Sequence, residues 1–91
     1  MNYLHKELQL DAGDVVEVTL DHPANVQLLD STNFDQYERG RPYRYHGGHA
    51  RESPVRIAAP HGGRWYVVID LGGGAGTVRA SVAVLSGAAT A

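Results

Sequence analysis

The sequence predicts an all-β protein, a single antiparallel β-sandwich with one short helical turn near residues 32–39. Apolar and polar residues alternate with a period of two in several short runs. These runs recur at intervals of about ten residues and are separated by turn-forming Gly, Pro and Asp. No helical pattern alternates with them, which argues against a parallel α/β sheet. The 91 residues suit one domain, which we place at residues 1–85, followed by a disordered tail at 86–91.

The N-terminal third contains three predicted strands. Leu and Lys side chains occupy every second position of residues 4–10. This pattern predicts a first strand, with Lys6 at a sheet edge. Residues 11–14 have the composition of a turn. Apolar and polar residues alternate over 16–21 and resume at 24–29, as expected for half-buried strands.

A short helix follows the third strand. Ser31 or Thr32 can serve as its N-cap, because a hydroxyl oxygen accepts a hydrogen bond from a free N–H of the first turn. Phe34 and Tyr37 fall at helical spacing and are expected to be the residues through which the helix packs on the rest of the protein. Gly40 ends the helix.

The C-terminal half is predicted to be β-structure. Residues 43–45 favour a short strand, and the glycine pair at 47–48 favours a loop. Residues 55–59 and 77–85 alternate as strands. Residues 65–71 are rich in aromatic and β-branched side chains, which predicts a central strand.

The glycine run at residues 72–76 could be a phosphate-binding loop or a turn. Gly72 and Gly74 fit the first two positions of a dinucleotide-binding motif, but the third position falls on Thr77. A strand pattern follows instead of a helix, so no helix N-terminus is available for a phosphate. We therefore expect a hairpin loop between two antiparallel strands.

The charge distribution marks one segment of the chain. The net charge of −2 predicts no membrane binding and no general affinity for nucleic acid. Residues 37–56, however, hold five arginines against two glutamates, a charge of +3, while the rest of the chain carries −5.

Within that region, the segment 37–51 interleaves arginines, tyrosines and histidines. Arginine forks suit phosphate or carboxylate, and tyrosine rings offer stacking faces. The candidate binding residues are Tyr37, Arg39, Arg41, Tyr43, Arg44, Tyr45, His46, His49 and Arg51. In the competing interpretation, the arginines lie in water and pair with nearby acids such as Asp35, Glu38 and Glu52, at about 0–1 kcal/mol each.

No pattern in the sequence indicates catalysis or a metal site. The pair His46 and His49, even with His22 or His61, lacks a convincing set of three or four ligands. No serine lies in a nucleophile-elbow motif. We expect no enzyme activity, no cofactor and no metal.

Localisation is inferred from what the chain lacks. It has no cysteine, no signal-peptide pattern and no apolar run long enough to span a bilayer. We therefore expect a cytoplasmic protein.

Three stretches of the chain resemble a known family. They are YLHKELQLDAGDVVEVTLDHPANVQLLD, NFDQYERGRPYRYHGGHARESPVRI and PHGGRWYVVIDLGGGAGTVRASV, and together they span roughly residues 1–85. They resemble small bacterial proteins catalogued as a domain of unknown function, which stands alone or is joined to a TIR domain. The resemblance implies a β-sandwich of jelly-roll type and supplies no catalytic residue.

Two functions are consistent with these features. The first is a non-catalytic protein-interaction module, which recognises a protein partner or its own copy through the Tyr/Arg segment or an open sheet edge. The alternative is capture of a small anionic or nucleotide ligand by segment 37–51.

Overall fold

The computed structural model of the protein describes residues 3–72 and 76–86. Seven strands and one helix lie within them, in the order β1 (Tyr3–Leu10), β2 (Val15–Leu20), β3 (Ala24–Asp30), α1 (Ser31–Glu38), β4 (His46–Ala50), β5 (Val55–Ala58), β6 (Gly63–Asp70) and β7 (Ala80–Leu85). Of the predicted disordered tail, only Ser86 falls within the described residues.

The strands form two antiparallel sheets. The four-stranded sheet has the order β1-β6-β3-β4, and the three-stranded sheet has the order β5-β2-β7. The prediction of a mostly β protein with two antiparallel sheets is confirmed, and the jelly-roll connectivity stays a prediction. Strand β6 lies between β1 and β3, so the predicted central strand is confirmed.

The two sheets share one apolar core. Val16 and Val18 of β2 and Val26, Leu28 and Val67 of the four-stranded sheet are at most 1% exposed and belong to the same cluster. Within each strand these residues occupy alternate positions, so their side chains lie on the face that meets the other sheet. Removal of this apolar surface from water is the main force that holds the sheets together.

Helix α1 covers the other face of the four-stranded sheet. Phe34 stacks on Tyr66 with ring centroids 4.1 Å apart, and Leu29 and Val68 lie buried in the same second cluster. Tyr37 also belongs to this cluster, so the predicted contacts of the helix are confirmed. No helix in the described part of the chain is long and apolar enough to cross a membrane.

The helix ends differ in part from the prediction. The N-cap is Asp30, whose Oδ1 accepts a 2.8 Å hydrogen bond from the backbone N of Asn33, so the prediction of Ser31 or Thr32 was wrong. Asp30 is also the last residue of β3, so the chain passes directly from strand to helix. At the other end Gly40 adopts a φ of +69°, a left-handed conformation typical of helix termination.

The predictions for residues 43–48 were wrong. Residues 43–45 form no strand, whereas the glycine pair lies inside β4, which pairs with β3. Gly47 has a φ of +111°, and a Cβ there would overlap the backbone oxygen of Val26. The close approach of the two strands therefore requires glycine at a position whose composition suggested a loop.

The predicted hairpin at residues 72–76 was also wrong. Strand β6 is already paired on both sides, so β7 joins the other sheet and pairs with β2. The chain after the glycine run continues into a strand and not into a helix, as expected. Residues 73–75 lie outside the described residues.

Candidate functional site

The nine candidate binding residues do not form one surface. Tyr37 is buried, and its hydroxyl donates a 3.0 Å hydrogen bond to Asp70. Burial, together with this hydrogen bond, raises the pKa of Tyr37 well above the ordinary tyrosine range. Tyr43 is half-buried, and its hydroxyl donates to Oε1 of Gln27 at 3.0 Å. Both hydroxyls are therefore used by the fold.

Two further candidates have partners at the surface. Arg39 pairs with Asp35 one helical turn earlier, at 3.0 Å and with both side chains exposed. His49 Nδ1 lies 3.1 Å from Oδ1 of Asn25, whose amide in turn donates to Asp70 at 2.9 Å. Arg39 thus lies in solvent and pairs with a nearby acid, as the competing interpretation expects. His49 belongs to the polar network on the outer face of the sheet.

The other arginines of the segment have no acidic partner in the part of the chain that the structure describes. Within residues 3–72 and 76–86, no acidic oxygen lies within 4.0 Å of the side-chain nitrogens of Arg41, Arg44 or Arg51. The proposed pairing with nearby acids therefore does not account for them.

Four candidates line a groove of about 630 Å³ at one end of the two sheets, here called the terminal groove. The four are Tyr43, Arg44, Tyr45 and His46. Residues from elsewhere in the sequence complete its walls, chiefly Asp30, Asn33, His61 and Trp65. The volume falls within the range of about 300–1,000 Å³ that is typical of ligand pockets.

Hydrogen bonds and ring contacts fix the walls of the terminal groove. The backbone N of Arg44 donates a 2.7 Å hydrogen bond to Oδ1 of Asn33 in the first turn of α1. Trp65 Nε1 donates to the backbone oxygen of His61 at 3.0 Å. The rings of His46 and His61 lie 5.8 and 4.8 Å from the Trp65 ring. Helix α1, β4 and the start of β6 thus form walls that combine polar and apolar side chains.

Sequence reasoning found only one wall of this groove. Asp30 was not among the candidate binding residues, and His61 was considered only with the histidines weighed as metal ligands. Their proximity to Arg44 depends on the pairing of β3 with both β4 and β6, and no local sequence pattern predicts that pairing.

A second surface lies between β1 and β7, here called the open side. Strands β4 and β5 meet on the opposite side of the molecule, so the four-stranded sheet extends past β7 by one strand, β1. A largely apolar cleft of about 400 Å³ lies beneath β1, lined by Leu4, His5, Lys6, Val67, Ile69, Ala80, Ser81 and Val82. Leu4 points toward this cleft and is 49% exposed because no strand faces it.

The edge of β7 differs from the other sheet edges. Strand β1 carries Lys6, β5 carries Arg56, and β4 has two positive-φ glycines. Such charges and irregularities discourage strand pairing at an edge. Strand β7 reads ASVAVL, without charge or proline, and leaves Val84 and Leu85 44% and 43% exposed.

Two hydrogen bonds between Asp21 and Arg79 hold the segment that leads into β7. Asp21 N donates to the backbone oxygen of Arg79 at 3.1 Å, and Arg79 N donates to Oδ1 of Asp21 at 2.7 Å. The hydrogen bond from Arg79, followed by the contact with His22, lowers the pKa of the Asp21 carboxyl. The apolar edge is therefore anchored at its start.

No metal site is found in the part of the chain that the structure describes. Residues 3–72 and 76–86 contain no group of three His, Asp or Glu side chains arranged to hold a metal ion.

Comparison with known proteins gives one match. A family model described as "Domain of unknown function (DUF1883)" matches residues 1–88. No curated protein and no solved structure matches the chain significantly.

Proposed function

Because the chain belongs to the DUF1883 family, whose description assigns no activity, we propose a function from the geometry: the protein is a non-catalytic interaction module that binds an extended strand of a partner protein on its open side. The apolar edge of β7, which has no charged residue and no proline, is the observation that carries this proposal. An edge strand offers unpaired backbone N–H and C=O groups, to which an extended peptide can add as a further strand.

The offset of the two sheets favours a single strand as the occupant. A strand added beside β7 would lie opposite β1 and cover the exposed side chain of Leu4. It would equalise the two sheets at four strands each. A second copy joined through its own β7 would bring its four-stranded sheet into the layer that β1 already occupies, so self-pairing at this edge is disfavoured.

The positive charge of Lys6 indicates which side chain the partner strand should carry. Lys6 lies on the same face of β1 as Leu4 and lines the cleft. No acidic oxygen among residues 3–72 and 76–86 lies within 4.0 Å of its ammonium. A carboxylate on the incoming strand would meet this cation. The partner segment should therefore alternate apolar side chains on one face and include one acidic residue on that face.

A designed peptide tests this proposal. Calorimetric titration with acetyl-Val-Thr-Val-Thr-Glu-Thr-Val-amide should give saturable binding with a Kd below about 1 mM. Replacement of its Glu by Lys should weaken binding at least about threefold, because like charges repel. No heat above dilution at 5 mM peptide would contradict the proposal.

Two variants locate the binding edge. Val84→Lys places a charge on β7 and should weaken peptide binding at least about tenfold, since charged edge residues oppose strand addition. Ala58→Lys alters an exposed small residue on β5, at the opposite edge of the same sheet, and should leave binding unchanged. Equal effects of the two variants would contradict binding at β7. Sedimentation of the free chain as a dimer that Val84→Lys dissociates would assign the edge to self-association instead.

A further inference from the structure

Arg44 lines the terminal groove and has no counter-ion among the described residues. Arg44 is fixed at its backbone by the 2.7 Å hydrogen bond to Asn33. No acidic oxygen in residues 3–72 and 76–86 lies within 4.0 Å of its guanidinium, although Asp30 lines the same groove. A guanidinium fork binds phosphate oxygens with two parallel hydrogen bonds. Arg44 is thus available to bind an anionic group that enters the groove.

The same groove offers a hydrogen-bond acceptor. Oδ1 of Asp30 accepts two hydrogen bonds from Asn33, one from its backbone N at 2.8 Å and one from its side-chain Nδ2 at 2.9 Å. Oδ2 of Asp30 takes part in no hydrogen bond among the described residues and remains free to accept one. A ligand with hydroxyl groups beside its anionic group would use both features.

The groove also offers an aromatic face. Tyr45 is 46% exposed and lines the groove. Its ring is tilted 45° against Tyr43, with centroids 5.7 Å apart, so the two rings do not stack on each other. A flat ligand ring can therefore stack on Tyr45 in the manner of a base on an aromatic side chain.

A phosphate, hydroxyl groups and a flat ring occur together in a nucleoside monophosphate. We propose that the terminal groove binds a ligand of this class, with the phosphate on Arg44, a ribose hydroxyl donating to Asp30, and the base on Tyr45. The groove volume of about 630 Å³ accommodates a ligand of this size. The site is independent of the open side, because the lining residues of the two clefts do not overlap.

Three probes separate the contributions of the ligand parts. Titration of the protein with AMP, ribose 5-phosphate and adenosine, followed by NMR, should give the tightest binding for AMP. Arg44→Ala should weaken AMP and ribose 5-phosphate about tenfold or more and leave adenosine unchanged. Tyr45→Ala should weaken AMP and adenosine at least about fivefold and leave ribose 5-phosphate unchanged.

Arg51→Ala is the matched control. Arg51 is also exposed and has no acidic partner within the described ranges, but it does not line the terminal groove. This variant should bind AMP like the unmodified protein. An equal loss in Arg51→Ala and Arg44→Ala would show attraction to charge in general and overturn the site. So would the absence of amide shifts at the groove with 5 mM AMP. An unfolding temperature close to that of the unmodified protein excludes loss of the fold as the cause of weaker binding in a variant.

Discussion

The hydroxyl of Tyr37 donates a 3.0 Å hydrogen bond to Oδ2 of Asp70 and so ties helix α1 to strand β6. Oδ1 of the same carboxylate accepts hydrogen bonds from Asn25 Nδ2 at 2.9 Å and from Gly72 N at 2.8 Å. Asp70 is 7% exposed, so these donors compensate for its removal from water. One carboxylate thus joins the helix, β3 and the start of the glycine run.

Loss of the Tyr37 hydroxyl should destabilise the fold. Tyr37→Phe keeps the ring but leaves the buried Asp70 carboxylate with one donor fewer, at a cost of about 1–3 kcal/mol. Urea unfolding of the variant measures this difference. Tyr45→Phe removes an exposed hydroxyl and should change the free energy of unfolding by less than about 0.5 kcal/mol. Equal effects of the two variants would contradict the role of this hydrogen bond.

The same tyrosine should make stability depend on alkaline pH. Because the pKa of Tyr37 is raised in the folded state, the unfolded chain ionises first as pH rises. Its contribution is fully present below the ordinary tyrosine pKa of about 10 and declines as pH rises above that value. Urea unfolding between pH 8 and 11 should show this decline, and Tyr37→Phe should make it shallower. An identical pH profile for both proteins would count against this assignment.

Asp21 should contribute a dependence on acid pH. Its pKa is lowered in the folded state, chiefly by the hydrogen bond from Arg79. The contribution is therefore present above the ordinary aspartate pKa of about 4 and is lost as pH falls through the lower folded value. Asp21→Asn should flatten the loss of stability in this range, measured by thermal unfolding between about pH 5 and 2. The interpretation fails if the variant follows the unmodified protein at every pH.

Neighbouring glycines of β4 should respond differently to alanine. Gly48→Ala is strained by its φ of +155° but meets no atom within 4 Å, so we expect a cost of about 1–3 kcal/mol. Gly47→Ala also overlaps the Val26 carbonyl oxygen and the Ile57 side chain, which should add about 1–3 kcal/mol. Chemical denaturation of both variants gives the difference. Equal losses would show that β4 can move away from β3 without cost.

The sequence predicted those parts of the fold that depend on local pattern. Strand β6 was predicted as central because its aromatic and β-branched run suits burial on both faces. The contacts of Phe34 and Tyr37 followed from helical spacing. These signals are contained in a few consecutive residues, so they need no knowledge of a partner.

The remaining features depend on which strands meet. The composition of β4 resembles a loop, and only its pairing with β3 makes Gly47 part of a strand. The hairpin prediction failed because both edges of β6 were already taken by β1 and β3. The terminal groove likewise combines Arg44 with Asp30 and His61, which approach one another only in the folded chain.

Intermolecular NOEs test the central claim most directly. With isotope-labelled protein and the unlabelled peptide acetyl-Val-Thr-Val-Thr-Glu-Thr-Val-amide, we predict cross-strand NOEs from peptide backbone protons to the amides of β7 and side-chain NOEs to Leu4. This result would place the partner strand beside β7 and beneath β1. NOEs confined to β5 or β4, or none at a peptide concentration that saturates binding, would contradict the account.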